Sequence, residues 1–168
     1  MHETCLLIQK EFALTTHVAD LIEQKSAIAQ QMYQSELTFI NGFEQFITTL
    51  IQKHTQDIAI ATNASELTIT TTDKALNLKQ YFGTHIYGIE RVGNQAKPNP
   101  AIYLYAADQL GIDPKECIAI EDSAHGINAA KAAGMYCIGI NSAKNRNQLR
   151  MADRIIEDYH DLDITDLF

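Results

Sequence analysis

Apolar residues fall into two textures along this chain. Through about residue 38, Leu6-Leu7, Phe12, Leu14, Val18, Leu21-Ile22, Ile28 and Met32-Tyr33 recur near the helical period between Gln, Glu and Lys. That spacing predicts two or three amphipathic helices. The run at residues 5–8 is apolar enough to read as a short strand as well. Phe39-Ile40-Asn41-Gly42 breaks the period with a turn and leads into a helix over residues 43–53. From Asp57 onward short apolar runs alternate with helical ones. Strands are expected at residues 58–61, 87–89, 117–120, 136–140 and 154–156, and a helix over residues 100–110 is stopped by Gly111. The Thr-rich stretch 68–72 has strand propensity, yet the pattern that follows, residues 74–82, is helical, so the expectation is a helix whose first turn is poorly marked. Alternation of this kind means an α/β fold, a parallel sheet with helices on both faces.

Residues 118–135, I-A-I-E-D-S-A-H-G-I-N-A-A-K-A-A-G-M, hold the densest information. An apolar strand ends in two adjacent carboxylates, Glu121 and Asp122. Ser123 follows as an N-cap, Gly126 as a hinge into an Ala-rich helix, and Gly134 stands where a terminating glycine belongs. In open α/β sheets ligands bind at the carboxyl ends of strands. Two carboxylates there repel one another unless a cation or hydrogen-bond donors compensate them, and a hard divalent cation such as Mg2+ is the usual solution. The plain alternative is an acidic pair that opens a surface loop.

Composition narrows the partners. With 168 residues, 46% of them hydrophobic, the chain can bury one core with a small appended module. A net charge of -8 and a pI near 5.1, with no basic block, argue against nucleic acid or an anionic membrane as partner. Cys5, Cys117 and Cys137 lack metal-site or C-x-x-C spacing and cannot all pair, which fits a reducing, cytoplasmic setting. No stretch approaches the roughly 18 apolar residues of a membrane span, and the N-terminus lacks the basic start of a signal peptide.

Three expected strand or helix ends now offer polar groups at one edge of the sheet. Thr62 and Asn63 end the first strand, Lys97 precedes Pro98-Asn99-Pro100, and Glu121-Asp122 end the third. A hydroxyl, an amide, an ammonium and a cation held by carboxylates suit the oxygens of a phosphoryl group. Taken singly, Thr62 also reads as a strand-end hydroxyl bonded to nearby backbone, and Lys97 as a solvated surface charge. His125 lies beside this edge, in contact with substrate or simply solvated.

The segments A-T-N-A-S at 61–65, K-P-N-P-A-I-Y at 97–103, L-G-I-D-P at 110–114 and the run ending I-E-D-S-A-H-G-I-N-A-A-K-A-A-G-M resemble the haloacid dehalogenase superfamily, nearest to its branch of small-sugar phosphatases and beta-phosphoglucomutase. The resemblance covers about residues 39–158. It implies a Rossmann-like parallel-sheet core over residues 39–168, and for residues 1–38 the later part of a small helical cap. It implies phosphoryl transfer through an aspartyl-phosphate on a small phosphorylated metabolite. Thr62 would bind the phosphoryl group with help from Asn63, and Lys97 would neutralise phosphate and nucleophile. Asp122 would ligate Mg2+, and Glu121 would hold the metal directly or through water. Ala101 stands where the family often has an acid.

One part of that pattern has no counterpart. The family's nucleophilic Asp sits on a first strand that ends in D-x-D-G, and nothing ahead of Thr62 matches. Residues 5–11, C-L-L-I-Q-K-E, put Gln9 and Glu11 at those positions, and an amide is no nucleophile. Asp161-Leu162-Asp163-Ile164-Thr165 matches in letters but follows a polar tetrapeptide that cannot be a buried strand. In the family the missing strand lies mid-sheet, between those that carry Thr62 and Glu121-Asp122, so its absence predicts unpaired strand edges and a slot. The expectations are a piece of a longer active protein that is itself inactive, or a degenerate protein that binds phosphate or a partner, with self-association through the open edge. A phosphoacceptor receiver domain is disfavoured, because there the acid pair comes first in sequence and the Lys last.

Overall fold

The structure, a computed structural model, describes residues 2–35, 37–53 and 57–167. They form two compact units, Met1–Leu37 and Thr38–Phe168. The first contains α1 (His2–Glu11) and α2 (Val18–Ser35). The side-chain amide of Gln9 donates to the Thr16 carbonyl at 2.8 Å and secures the turn between them. Residues 5–8 are therefore helical, as the period of the surrounding apolar positions demands. The side chains of Met32 and Tyr33, expected on the apolar face of α2, lie outside the described residues.

The second unit opens with α3 (Phe43–Lys53) and continues through β1 (Ile60–Ala61), α4 (Glu66–Leu76), α5 (Lys79–Phe82), β2 (Ile86–Tyr87), α6 (Ala101–Leu110), β3 (Ile118–Glu121), α7 (Ala124–Ala132), β4 (Tyr136–Ile140) and β5 (Arg154–Ile156). All strand pairs are parallel. They form two sheets, β1-β2 and β3-β4-β5, and among the described residues no strand joins β1 to β3.

Alternate residues of each strand enter different cores. Ala59, Ala61, Ala119 and Cys137 pack with Ile102, Ile127 and Leu149. Their neighbours Ile58, Ile120 and Ile138 pack with Phe46, Ile47 and Leu50 of α3. The period of two explains why these runs are apolar throughout: both faces are covered. The first core draws on both sheets, and the second joins β3-β4-β5 to Ile58 just ahead of β1, so β1 and β3 are flanked by common layers without a ladder between them.

The Thr-rich segment corrects the expected boundary. Helix α4 begins at Glu66, capped by Ser65, whose hydroxyl accepts from the Thr68 N–H. Thr70 and Thr71 turn their hydroxyls back onto the Glu66 and Leu67 carbonyls at 2.8 and 3.0 Å, so their polar groups are satisfied inside the helix. The helix stops at Asn77, which adopts a left-handed conformation (φ 51°), and α5 is a separate turn. Residues 161–165 run from one short 3-10 turn (Tyr159–Asp161) into another (Ile164–Leu167), and Asp163 between them uses its carboxylate to accept from the backbone and hydroxyl of Thr165. That segment is no nucleophile-bearing strand. Among the described residues no helix is long and apolar enough to cross a membrane.

Candidate functional site

The carboxyl ends of β1 and β3 face a single ammonium. Lys97 lies in the turn before α6, where the Asn99 side chain accepts the N–H of Ala101, the position at which the family often has an acid, at 2.9 Å. Its Nζ donates to the Ala61 carbonyl at 2.8 Å, to the Tyr103 hydroxyl at 3.2 Å and to Glu121 Oε1 at 2.5 Å. An ammonium has three protons, and all three are assigned. The same Nζ lies 4.5 Å from the centroid of the Tyr103 ring, within cation–π range. The Lys97 side chain is only 10% exposed, which removes the reading of a solvated surface charge.

Asn63 joins the cluster from the β1 side, its Oδ1 accepting the backbone N–H of Lys97 at 2.9 Å. Thr62 is fixed by its own N–H, bonded to the Tyr87 carbonyl at 3.0 Å, while its hydroxyl oxygen accepts the Ala64 N–H at 3.0 Å. That second bond is the local backbone contact open to any strand-end threonine, and it sets the rotamer while leaving the hydroxyl proton to donate elsewhere.

Glu121 is buried at the end of β3. Besides Lys97, it accepts the Tyr103 hydroxyl on Oε1 and the Ser123 hydroxyl at 3.4 Å on Oε2. Gly126 makes room for it. A Cβ built on Gly126 would lie 1.9 Å from Oε2, so this glycine, within α7 rather than at a hinge before it, admits the carboxylate against the helix backbone. Ser123 caps α7 as expected, accepting from the Gly126 N–H at 3.1 Å, and Gly134 has the positive φ of a helix stop.

Asp122, the next residue, is exposed, and so is His125 in the first turn of α7. Burial, reinforced by the Glu121 charge, pushes the Tyr103 phenol up. Burial and then the Asp122 and Glu121 charges push Tyr159 up to about 12.

The structure thus brings Asn63, Lys97 and Glu121 into direct contact, with Thr62 one residue from the bonded Ala61 carbonyl. The Glu121 carboxylate is the counter-ion of Lys97. Among the described residues no three His, Cys, Asp or Glu side chains converge to hold a metal. Asp122 is the carboxylate of the pair left open to solvent, and one or two carboxylates with waters are what Mg2+ ordinarily takes. Tyr103 was missed in the sequence. The signal was a phenol on the stripe Ile102, Tyr103, Ala106 and Ala107, the buried face of α6, where its hydroxyl needs a partner.

Residues 7–134 match the model of haloacid dehalogenase-like hydrolases. The chain is 38% identical to beta-phosphoglucomutase of Bacillus subtilis over 68 residues, 40% of this chain and 29% of that protein. A conserved haloacid dehalogenase-like protein of Agrobacterium tumefaciens superposes with a TM-score of 0.81 at 27% identity, covering 95% of this chain and 73% of that one. CbbY from Rhodobacter sphaeroides, solved in complex with phosphate, gives 0.77 at 25% identity, covering 92% and 70%. Across comparable curated relatives the match spans between 10% and 51% of the relative's own length.

Proposed function

Because the chain belongs to the haloacid dehalogenase-like hydrolases, on the beta-phosphoglucomutase-like side, we propose that its site is a cradle for the phosphoryl group of a small phosphorylated metabolite. The observation that carries the proposal is the Lys97 ammonium, which spans from the Ala61 carbonyl on β1 to Glu121 on β3. It stands at the carboxyl edge of the sheet, beside the hydroxyl of Thr62 and the amide of Asn63. Phosphoryl oxygens would be met by those three residues. The phosphate bound to CbbY of Rhodobacter sphaeroides supports the same class of ligand.

Charge limits what this chain can do. Lys97 is compensated by Glu121, and Asp122 adds a further negative group, so an incoming phosphate meets a site with more negative than positive side chains. We keep Mg2+ as the expected cofactor, with Asp122 as the ligand this chain supplies. The cation would offset that charge, with Glu121 holding it directly or through water.

Chemistry needs an attacking carboxylate, and no strand ending in D-x-D-G occurs in these residues. The activity of the family is read as that of a phosphatase or phosphomutase, and the 168-residue chain by itself as inactive. The second reading, a non-catalytic binder of phosphate or of a protein partner, is favoured by the separation of β1 from β3. A phosphatase assay on the purified chain with Mg2+ and a small sugar phosphate tests this. No turnover is expected, and turnover that disappears in Asp122→Ala would overturn it.

A further inference from the structure

Tyr103 lies in the sequence between the two charged groups it touches, and the geometry around it is closed. The Lys97 ammonium donates to the phenol oxygen at 3.2 Å, the phenol donates to Glu121 Oε1, and the same Oε1 accepts from Lys97 at 2.5 Å. The ring faces the ammonium at 4.5 Å. Tyr103 is 8% exposed and anchored in the core formed with Ile102, Ala106 and Ile127. A flexible four-carbon stem would otherwise let the ammonium of Lys97 wander. Here its position is fixed from three sides.

We propose that Tyr103 is a positioning residue: its hydroxyl holds the Glu121 carboxylate against Lys97 and its ring backs the ammonium, so that Lys97 is held at one point of the sheet edge. The phenol bond, at 3.2 Å, is the longest of the three made by the ammonium. It is therefore the one an arriving anionic oxygen displaces most cheaply, because Tyr103 keeps its own donated bond to Glu121 when Lys97 turns away. Lys97 exchanges a neutral acceptor for a charged one without releasing either β1 or Glu121. This second step rests on the phosphate reading given above, whereas the positioning role does not.

The test uses the 15N–1H signals of the lysine ammonium groups in the full chain, with Lys97 assigned by comparison with a Lys97→Arg variant. An ammonium with three bonded protons exchanges slowly with water, so a sharp Lys97 signal is expected in the wild type. Tyr103→Phe keeps the ring and the packing and removes only the hydroxyl. Its Lys97 signal should exchange about tenfold faster, the effect of losing one hydrogen bond to a charged group, while the thermal unfolding transition stays cooperative. Glu121→Gln should broaden the same signal. An unprotected Lys97 signal in the wild type, or one unchanged in Tyr103→Phe, overturns the positioning role. Titration with orthophosphate in the presence of Mg2+ separates the second step. A shift of the Lys97 signal supports the exchange of phenol for anion, and a Lys97 signal that is protected but indifferent to phosphate overturns that exchange and the phosphate reading while the positioning role stands.

Discussion

Lys97 and Glu121 form an ion pair whose side chains are 10% and 9% exposed. Removing one partner of such a pair strands a buried charge, whereas replacing both with apolar groups need not be costly. Lys97→Met is therefore expected to lower stability by about 3–5 kcal/mol, and the double variant Lys97→Met/Glu121→Leu to recover most of it, as measured by urea unfolding. Gly126→Ala tests the same carboxylate from the other side. The added Cβ would sit 1.9 Å from Glu121 Oε2, and that oxygen can retreat only by giving up Ser123 or by pulling Oε1 from Lys97 and Tyr103. A loss of about 1–3 kcal/mol is expected, as for other overpacked sites. The partners of Lys97 explain why sequence alone named the residue but not its environment. They lie 36, 6 and 24 positions away, at Ala61, Tyr103 and Glu121. No local pattern encodes such a meeting.

Elements were legible where their signals are local. The expected bounds of β4 and β5 coincide with the observed ones, because apolar runs bracketed by turn residues leave little choice. Ser123 as a cap and Gly111 as a stop were equally readable. The start of α4 was not, because the β-branched threonines that lower its propensity are rescued by hydroxyl bonds to carbonyls one turn back. The clasp between α7, β4 and Asp153, the residue before β5, was also invisible in the sequence. Asp153 takes the Lys131 ammonium on both oxygens at 2.7 Å and the Cys137 N–H at 2.8 Å. Those bonds, Lys131 first, hold its carboxyl below the ordinary 3.8. A depressed carboxyl contributes stability above its unfolded value that is lost as pH falls through the folded one. Asp153→Asn should accordingly cost about 1–2 kcal/mol at neutral pH and flatten the acid limb of the stability curve below about pH 4, read by thermal melts across pH.

At the scale of the whole molecule, the sheet is divided between β1 and β3 while two cores span the division. The slot expected from the absent D-x-D-G strand corresponds to that division. The Lys97 side chain bonds both strand ends, the Ala61 carbonyl and the Glu121 carboxylate. The alkaline side of the stability curve is expected to depend on two phenols, the buried Tyr103 and the half-buried Tyr159. Tyr159 is pushed up to about 12, with burial as the main cause, and Tyr103 is pushed up as well. A raised folded pKa gives stability that is complete below the unfolded value of 10 and is lost as pH rises past it. In an absorbance titration of the seven tyrosines, these two should ionise last and together with unfolding.

The central claim is that the edge holding Thr62, Asn63 and Lys97 receives a phosphate-sized anion. Calorimetric titration of the 168-residue chain with orthophosphate in the presence of Mg2+ tests it most directly, with the Lys97→Met/Glu121→Leu variant as comparison. Saturable binding at one site, lost in that variant while its fold is retained, is the predicted result. No binding by the wild type, or equal binding by both proteins, would contradict the account.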